Sequence, residues 1–169
     1  MIKYISTYVL LIFCTNALAV NYVELRTLLV AAATDEATAN LLLQKTTQTT
    51  QQNAIVLGYH AAVTMTMAKH CYLPTSKLSY FKKGKVMLEA AIRKSPSSAE
   101  LKFIRLAIQC NIPSMLGYAQ NISADKNELI QYLKSNTASA DTDLKTRVKK
   151  LLLTCNKCTA IEIKSIQNL

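Results

Sequence analysis

The fold is decided between residues 80 and 110, where the chain reads YFKKGKVMLEAAIRKSPSSAELKFIRLAIQC. Its first half places Phe81, Gly84 and Leu88 three or four residues apart, which is the spacing of one face of an α-helix. In its second half the apolar residues return at the same spacing: Phe103, Leu106, Ala107 and Cys110. Pro113 breaks this second helix. The stretch therefore predicts a hairpin of two amphipathic helices.

The turn within this hairpin carries a helix start signal. Ser97-Ser98-Ala99-Glu100 has the form of a capping box, in which a Ser hydroxyl and a Glu carboxylate each accept a hydrogen bond from a backbone N–H. The pattern predicts that the second helix begins here. Lys102, Arg105 and Gln109 fall between its apolar positions, so we expect them to face solvent.

Further helical segments flank the hairpin on both sides. The chain of 169 residues has only three Gly and three Pro, too few for the turns of a many-stranded β fold. The sequence therefore predicts an all-α fold, a single-domain bundle of helix hairpins with six to eight helices. Apolar periodicity and capping residues place the other helices at 22–33, 35–45, 54–72, 123–133, 141–155 and 159–166.

One helix boundary in the first half stays open at this point. Thr34 and Asp35 either cap a new helix or bend the first one. Residues 46–53 are rich in Thr and Gln and predict a flexible connection. Residues 54–72 are apolar on nearly every side, which favours a buried central helix, and His60 and Lys69 argue against a membrane span.

Part of the hairpin resembles a tetratricopeptide repeat. The tract from Gly84 to Pro96 resembles that repeat's second helix, with a large residue at Leu88 followed by Ala91. Ile104 departs from the pattern, because a Gly or Ala normally stands there. One unit cannot form a solenoid, so the resemblance implies a bundle that is tetratricopeptide-like only in part.

A wider region, residues 59–133, resembles a group of uncharacterised small exported helical proteins from Bacteroidetes-type bacteria. The residues that carry the resemblance are 77–81 (KLSYF), 103–109 (FIRLAIQ) and 116–118 (LGY). The resemblance implies export and supplies no activity.

The first nineteen residues are typical of a secretory signal peptide. Lys3 gives a basic start, residues 8–13 are apolar, and Ala17-Leu18-Ala19 is a small-x-small cleavage pattern. The apolar run is too short for a membrane anchor, which needs about 20 residues. We therefore expect a signal peptide at 1–19, cleavage between Ala19 and Val20, an all-helical domain at 20–169, and a periplasmic or secreted location.

The chain is strongly basic, with 20 Lys and Arg against 10 Asp and Glu and a net charge of +10. Removal of residues 1–19 takes away one lysine and leaves the charge at +9. Export makes nucleic acid an unexpected partner, whereas an anionic envelope surface is compatible with this charge. The lysine-rich segments 82–85 and 147–150 are the candidates for such peripheral contact.

Four cysteines remain after cleavage: Cys71, Cys110, Cys155 and Cys158. They are candidates for disulfides or for free thiols, and the sequence leaves all three pairings open. Cys155-Asn156-Lys157-Cys158 is a C-x-x-C pair, but it follows a helix, where the helix dipole disfavours a thiolate. The position therefore favours a structural pair over a redox pair, and no spacing of His or Cys predicts a metal site.

Catalytic motifs are not apparent. The sequence contains no Ser-centred elbow, glycine-rich phosphate loop or paired-carboxylate cluster, so we assign no catalytic, cofactor-binding or metal-binding residue. His60 and His70 lie on different sides of one helix, and we expect each to be a hydrogen-bonded core or boundary residue.

We expect a non-catalytic binding or assembly protein whose helix hairpins form a groove for a protein or envelope component. The alternatives are a basic protein that attaches to anionic envelope components, and a thiol-redox enzyme.

Overall fold

The computed structural model describes residues 20–47, 50, 52–135 and 141–169. Within these ranges the chain forms eight α-helices, two 3₁₀ turns and no strand, so the predicted all-α fold is confirmed. The predicted signal peptide and Ala19 lie outside the described residues. The α-helices are α1 (Tyr22–Ala32), α2 (Glu36–Thr47), α3 (Ala54–Thr66), α4 (Pro74–Lys94), α5 (Ala99–Asn111), α6 (Ile122–Lys134), α7 (Thr142–Thr154) and α8 (Ala160–Gln167).

Consecutive helices pair as hairpins: α1 with α2, α3 with α4, α5 with α6, and α7 with α8. The odd-numbered helices are also neighbours, since α3 contacts α1 and α5, and α5 contacts α7. Near their starts, Arg26 of α1 and Tyr59 of α3 both bond to Glu100 of α5. Just after the end of α3, His70 bonds to the carbonyl of Ala32 at the end of α1. Helices α1, α3 and α5 therefore run side by side in the same direction.

The apolar side chains form two cores that share α5. The first core lies among α1 to α4 and receives Leu101 and Ile104 from α5. The second core lies among α5 to α8 and receives Leu106. Phe103 packs against both cores. Because α5 buries residues on two sides, it is the helix that joins the two halves of the bundle.

Helices α3 and α4 pack unusually closely at Gly84. A Cβ atom placed on Gly84 would lie 2.6 Å from the carbonyl oxygen of Ala61 and 2.4 Å from Cγ of Met65. Only glycine permits this approach of two helix backbones. The prediction of a buried central helix within 54–72 is correct for α3, which buries most of its residues.

Several predicted helix starts are confirmed. Asp141 caps α7, and Thr159 with Glu162 forms a capping box at α8. Asp35 accepts a hydrogen bond from the backbone N–H of Thr38, so a separate helix begins there and the first helix does not simply bend. These starts could be predicted because a cap is a property of residues three apart in the chain.

The predicted ends of α2 and α3 differ from the observed ones. Helix α2 continues to Thr47, and α3 ends at Thr66 and continues as a 3₁₀ turn through Lys69. Pro74 is the first residue of α4. Proline suits that position because the first helical N–H needs no partner. Thr46 does not belong to the predicted connection, because it is a buried residue of α2 whose hydroxyl bonds to the carbonyl of Leu42 at 2.8 Å. Residues 48, 49 and 51 of that prediction lie outside the described residues.

The predicted capping box at residues 97–100 is wrong. Ser98, not Ser97, caps α5, and its hydroxyl accepts the N–H of Leu101 at 3.3 Å. The carboxylate of Glu100 bonds instead to Arg26 and Tyr59. A buried guanidinium is a stronger partner for a carboxylate than an exposed backbone N–H, so it captures Glu100.

No helix within the described ranges combines the length and the hydropathy that a bilayer span requires.

Candidate ligand-binding groove and thiol cluster

A groove of about 320 Å³ runs between α1, α3 and α5 and reaches α7; we call it the odd-helix groove. Its volume lies within the range of small-molecule sites. Most of its lining side chains are apolar. They are Leu29, Val30, Ala33, Tyr59, Ala62, Met65, Phe103, Ile104, Ala107, Ile108 and Ile112, together with Arg26, Thr66, Lys69, Asn111 and Arg147.

Small side chains make the groove possible. Ala62 of α3, Ala107 of α5 and Ala33, which directly follows α1, all line it. A helix residue with a single methyl group leaves space where a leucine would fill the gap between two neighbouring helices. Val30 stands at the rim and is mostly exposed. The groove is therefore an open apolar channel along parallel helices, roughly 15 Å long from Tyr59 to Lys69 at about 1.5 Å per residue.

The charged side chains that line the groove are all cationic: Arg26, Lys69 and Arg147. Arg26 is neutralised by acidic partners, and Arg147 donates from Nε to Asp143 at 3.0 Å. Lys69 is exposed, and its side chain has no ion pair or hydrogen bond to any residue that the structure describes. Lys69 is thus the uncompensated charge at the groove.

A buried ion network closes the groove near the starts of the helices. Arg26 donates from Nε to Glu100 at 2.9 Å, from Nη1 to Asp143 at 2.8 Å and from Nη2 to Asp141 at 2.6 Å. The hydroxyl of Tyr59 donates to the same Glu100 carboxylate. The network joins α1, α3 and α5 to the start of α7, and so fixes the helices that form the groove.

The network shifts the pKa values of its members. Burial alone would lower the pKa of Arg26, but its hydrogen bonds to Glu100, Asp141 and Asp143 outweigh burial and raise it. Burial, followed by the charge of Glu100, raises the pKa of Tyr59 well above its ordinary value. The hydrogen bond from Arg26 lowers the pKa of Asp141. Arg26 and Asp141 are therefore charged and Tyr59 is neutral at physiological pH.

At the opposite end of the groove, the last carbonyl of α1 has a partner, because His70 Nε2 lies 2.8 Å from the carbonyl oxygen of Ala32. The Asn111 side-chain amide donates to the carbonyl of Ala107 at 2.7 Å. Lys69 is the charged side chain that lines the groove at this end.

Lys102, Arg105 and Gln109, which we expected to face solvent, are buried. Arg105 forms two hydrogen bonds of 2.7 Å to Asp125 and one of 2.9 Å to Glu89, and Lys102 bonds to Glu128 at 3.1 Å. The prediction fails because α6 supplies carboxylates that compensate these charges in the interior. Gln109 is the exception, since its side-chain amide has no hydrogen-bond partner in the described residues.

Three of the four predicted cysteine sites come together. Cys110 lies in the last turn of α5, Cys155 directly follows α7, and Cys158 precedes the cap of α8. Burial, followed by the interaction with the nearby Cys155 thiol, raises the pKa of Cys110. Cys71 lies between the 3₁₀ turn and α4 and is half-buried. In the described part of the chain no three His, Cys, Asp or Glu side chains are placed to hold a metal ion.

The histidines have hydrogen-bonding roles, as predicted. His60 Nδ1 lies 2.8 Å from the Thr46 hydroxyl, which joins α3 to α2. Burial, with a smaller contribution from Lys83, lowers the pKa of His60. His60 is therefore the neutral partner in that bond.

The two lysine-rich segments differ in how many of their charged side chains have partners. In segment 147–150, Arg147 pairs with Asp143 and Lys149 donates to the carbonyl of Gln167 at 3.2 Å. In segment 82–85, Lys82 and Lys83 are exposed, and the ammonium of Lys85 lies 4.7 Å from the ring centre of Tyr118. These two short segments do not form one continuous row of free charges.

Sequence reasoning missed the two residues that organise the groove, Arg26 and Glu100. Arg26 stands next to Leu25 on the buried side of α1. A charge at such a position needs an oppositely charged partner from another helix, and that requirement could have indicated its role. Glu100 stands in a capping-box pattern, which predicts a backbone N–H as its partner and not Arg26. The alanines that line the groove gave no signal, because alanine is favourable at any helix position.

Comparison with known proteins gave no match to a family model, to a curated protein or to a solved structure.

Proposed function

We propose that this protein binds a small amphiphilic molecule with one anionic group in the odd-helix groove. The observation that carries this proposal is the lining of the groove, which combines an apolar channel with cationic side chains and contains no Asp or Glu. Apolar lining with a few placed polar groups is the usual composition of small-molecule sites. The apolar body would lie along Ala62 and Ala107, and the anionic group would pair with Lys69.

The orientation follows from the charges at the two ends. Near the helix starts, the carboxylates of Glu100, Asp141 and Asp143 would repel an anion, and they already occupy Arg26. At the other end Lys69 has no acidic partner among the described residues. Since an ion pair at an exposed site contributes little, most of the affinity comes from the apolar body and Lys69 contributes specificity.

Dodecanoate is a suitable probe, because its chain is comparable in length with the groove. It has 14 non-hydrogen atoms, and roughly 0.5 kcal/mol for each, within the range for small ligands, gives a Kd on the order of 10 µM. Isothermal titration calorimetry below the micelle concentration measures this value. Dodecyltrimethylammonium tests the sign of the charge, and dodecanol tests the apolar part alone.

Two variants with one added ring locate the binding. Ala107→Phe fills the groove, and we expect the Kd for dodecanoate to rise more than tenfold. Ala31→Phe places the same ring at an exposed position of α1 outside the groove and should leave the Kd unchanged. Circular dichroism confirms that both variants fold. Equal affinities in the two variants contradict binding in the groove.

Lys69→Met distinguishes the contribution of the ligand's anionic group to the affinity from that of its apolar chain. The Kd for dodecanoate should rise about threefold to fivefold, which is the effect of losing one partly exposed ion pair of up to about 1 kcal/mol. The Kd for dodecanol should not change. Equal binding of dodecanoate and dodecyltrimethylammonium to the unmodified protein would reject the anionic ligand.

We further propose that the chain is exported and loses residues 1–19. The support is the sequence alone: a basic start, an apolar run and the Ala17-Leu18-Ala19 pattern. Export would place the odd-helix groove where amphiphiles of the cell envelope are accessible. N-terminal sequencing of the protein from its native cells should begin at Val20, and recovery of Met1 contradicts export by this route.

A further inference from the structure

The ends of α5 and α7 bring two thiols together that lie 45 residues apart in the chain. Cys110, in the last turn of α5, and Cys155, just after α7, lie close enough to interact, although α6 and α7 separate them in sequence. Both are half-buried. Helices α5 and α7 are in contact, so the helix packing itself holds the two thiols near each other.

A third thiol lies beside this pair. The chain turns sharply after α7, where Asn156 adopts the left-handed conformation with φ of 51°. Cys158 follows this turn and packs, like Cys110, against the second core. Cys155 and Cys158 both lie near enough to Cys110 to raise its pKa, and Cys155 also raises the pKa of Cys158. Cys155 is the thiol that interacts with both others, and it acts on Cys110 more strongly than Cys158 does.

We propose that Cys110 and Cys155 form an intramolecular disulfide when the protein meets a small-molecule disulfide. In the first step the Cys155 thiolate attacks the donor R–S–S–R, which forms Cys155–S–S–R and releases one R–SH after protonation. In the second step the Cys110 thiolate attacks the Cys155 sulfur, which forms the Cys110–Cys155 bond and releases the second R–SH. The two protein thiols lose two electrons and two protons, and the donor gains them.

Pairing with Cys110 is favoured over pairing within the C-x-x-C segment, because Cys155 interacts with Cys110 at contact range but with Cys158 only through its charge. The Cys110–Cys155 loop also includes all of α6 and α7, so its closure stabilises the fold against unfolding more than closure of a short loop would. Burial, followed by the neighbouring Cys155 thiol, raises the pKa of Cys110 to about 12. A thiol with a raised pKa is a poor leaving group in exchange, so this disulfide resists reduction once it has formed. The bond is thus structural and not part of a redox catalyst.

Trypsin makes the pairing directly measurable in the protein that begins at Val20, because it cuts after lysine and arginine and places each of its four cysteines in a different peptide. The four peptides are 70–77 with Cys71, 106–126 with Cys110, 151–157 with Cys155 and 158–164 with Cys158. The reduced protein is treated with oxidised glutathione, quenched with acid, alkylated and digested without reductant. Mass spectrometry should then find peptide 106–126 joined to peptide 151–157, with two hydrogen atoms lost.

Three variants and a melting curve complete the test. Oxidation should raise the Tm of the unmodified protein by roughly 10 °C, as expected for a loop of this length in a domain of this size. Cys158→Ser and Cys71→Ser should keep both the joined peptide and the rise, whereas Cys155→Ser should lose both. A main product that joins peptides 151–157 and 158–164, or no disulfide at all, overturns the proposal. Dodecanoate binding plays no part in the test, so the result is independent of the odd-helix groove.

Discussion

Replacement of Glu100 by glutamine should destabilise the whole bundle, because Glu100 is the carboxylate on which α1, α3 and α5 converge. Its side chain is 6% exposed and that of Arg26 is 2% exposed. Glutamine has the same shape but no charge. It leaves the Arg26 guanidinium buried with only the two partly exposed carboxylates of Asp141 and Asp143, and it weakens the bond to Tyr59.

The size of the effect follows from the burial of the pair. Removal of one partner from a buried ion pair costs about 3–5 kcal/mol, because the other charge stays in the interior. Asp141 and Asp143 still compensate part of the Arg26 charge, so we expect the lower end, about 3 kcal/mol. For a domain of this length that corresponds to a fall in Tm of roughly 6–12 °C.

Thermal unfolding followed by circular dichroism measures this change, and Glu24→Gln is the matched control. Glu24 pairs with Lys45 at 2.8 Å, but both side chains are more than 40% exposed. A surface pair contributes at most about 1 kcal/mol, so the control should lose no more than roughly 4 °C. If Glu100→Gln and Glu24→Gln lower the Tm equally, the network does not hold the odd-numbered helices together.

Three further perturbations test the packing and the electrostatics. Leu88→Asp places a charge without a partner in the first core and should abolish the helical signal in circular dichroism. Val86→Asp, on the exposed side of the same helix, should keep the signal. A folded Leu88→Asp protein would show that the Leu88 face of α4 does not pack in the core. Gly84→Ala should lower the free energy of unfolding by about 1–3 kcal/mol in urea titrations, because its Cβ meets the backbone of α3. Gly58→Ala should cost less, because its Cβ meets a terminal methyl group of the Leu101 side chain and no backbone atom. The reverse order contradicts the close contact of α3 and α4. The hydrogen bond from Lys126, together with the N–H of Thr159, lowers the pKa of Glu162 to about 2. Glu162 therefore adds stability above pH 4.5 that is lost as the pH falls toward 2. In Glu162→Gln the urea midpoint should depend less on pH over that window, and an unchanged pH dependence refutes the assignment.

The sequence predicted the helices well because each depends on residues close together in the chain. The spacing of Phe81 and Leu88 follows from the helical repeat, and the caps at Asp141 and Thr159 depend on a neighbour three residues away. Such signals are complete within one segment. The all-α fold and most helix starts could therefore be predicted before any packing was known.

The candidate sites could not be predicted in the same way, because they depend on residues far apart in the chain. Arg26 is buried only because Glu100, Asp141 and Asp143 lie beside it in the fold. Periodicity reports the average polarity of a face and cannot show that a carboxylate from another helix compensates a charge. For the same reason, the burial of Arg105, the proximity of Cys110 to Cys155 and the groove beside alanines of different helices could not be predicted from the sequence.

The most direct test of the odd-helix groove is an NMR measurement of contacts between dodecanoate and labelled methyl groups. With ¹³C-labelled alanine and methionine methyls, nuclear Overhauser effects should connect the alkyl chain to Ala62, Ala107 and Met65, which line the groove. Met115 is 88% exposed outside the groove and serves as the internal control for surface adsorption. Contacts to the three groove residues without contact to Met115 are the predicted result. Contacts to Met115 in the absence of contacts to Ala107 and Met65 contradict binding in the groove.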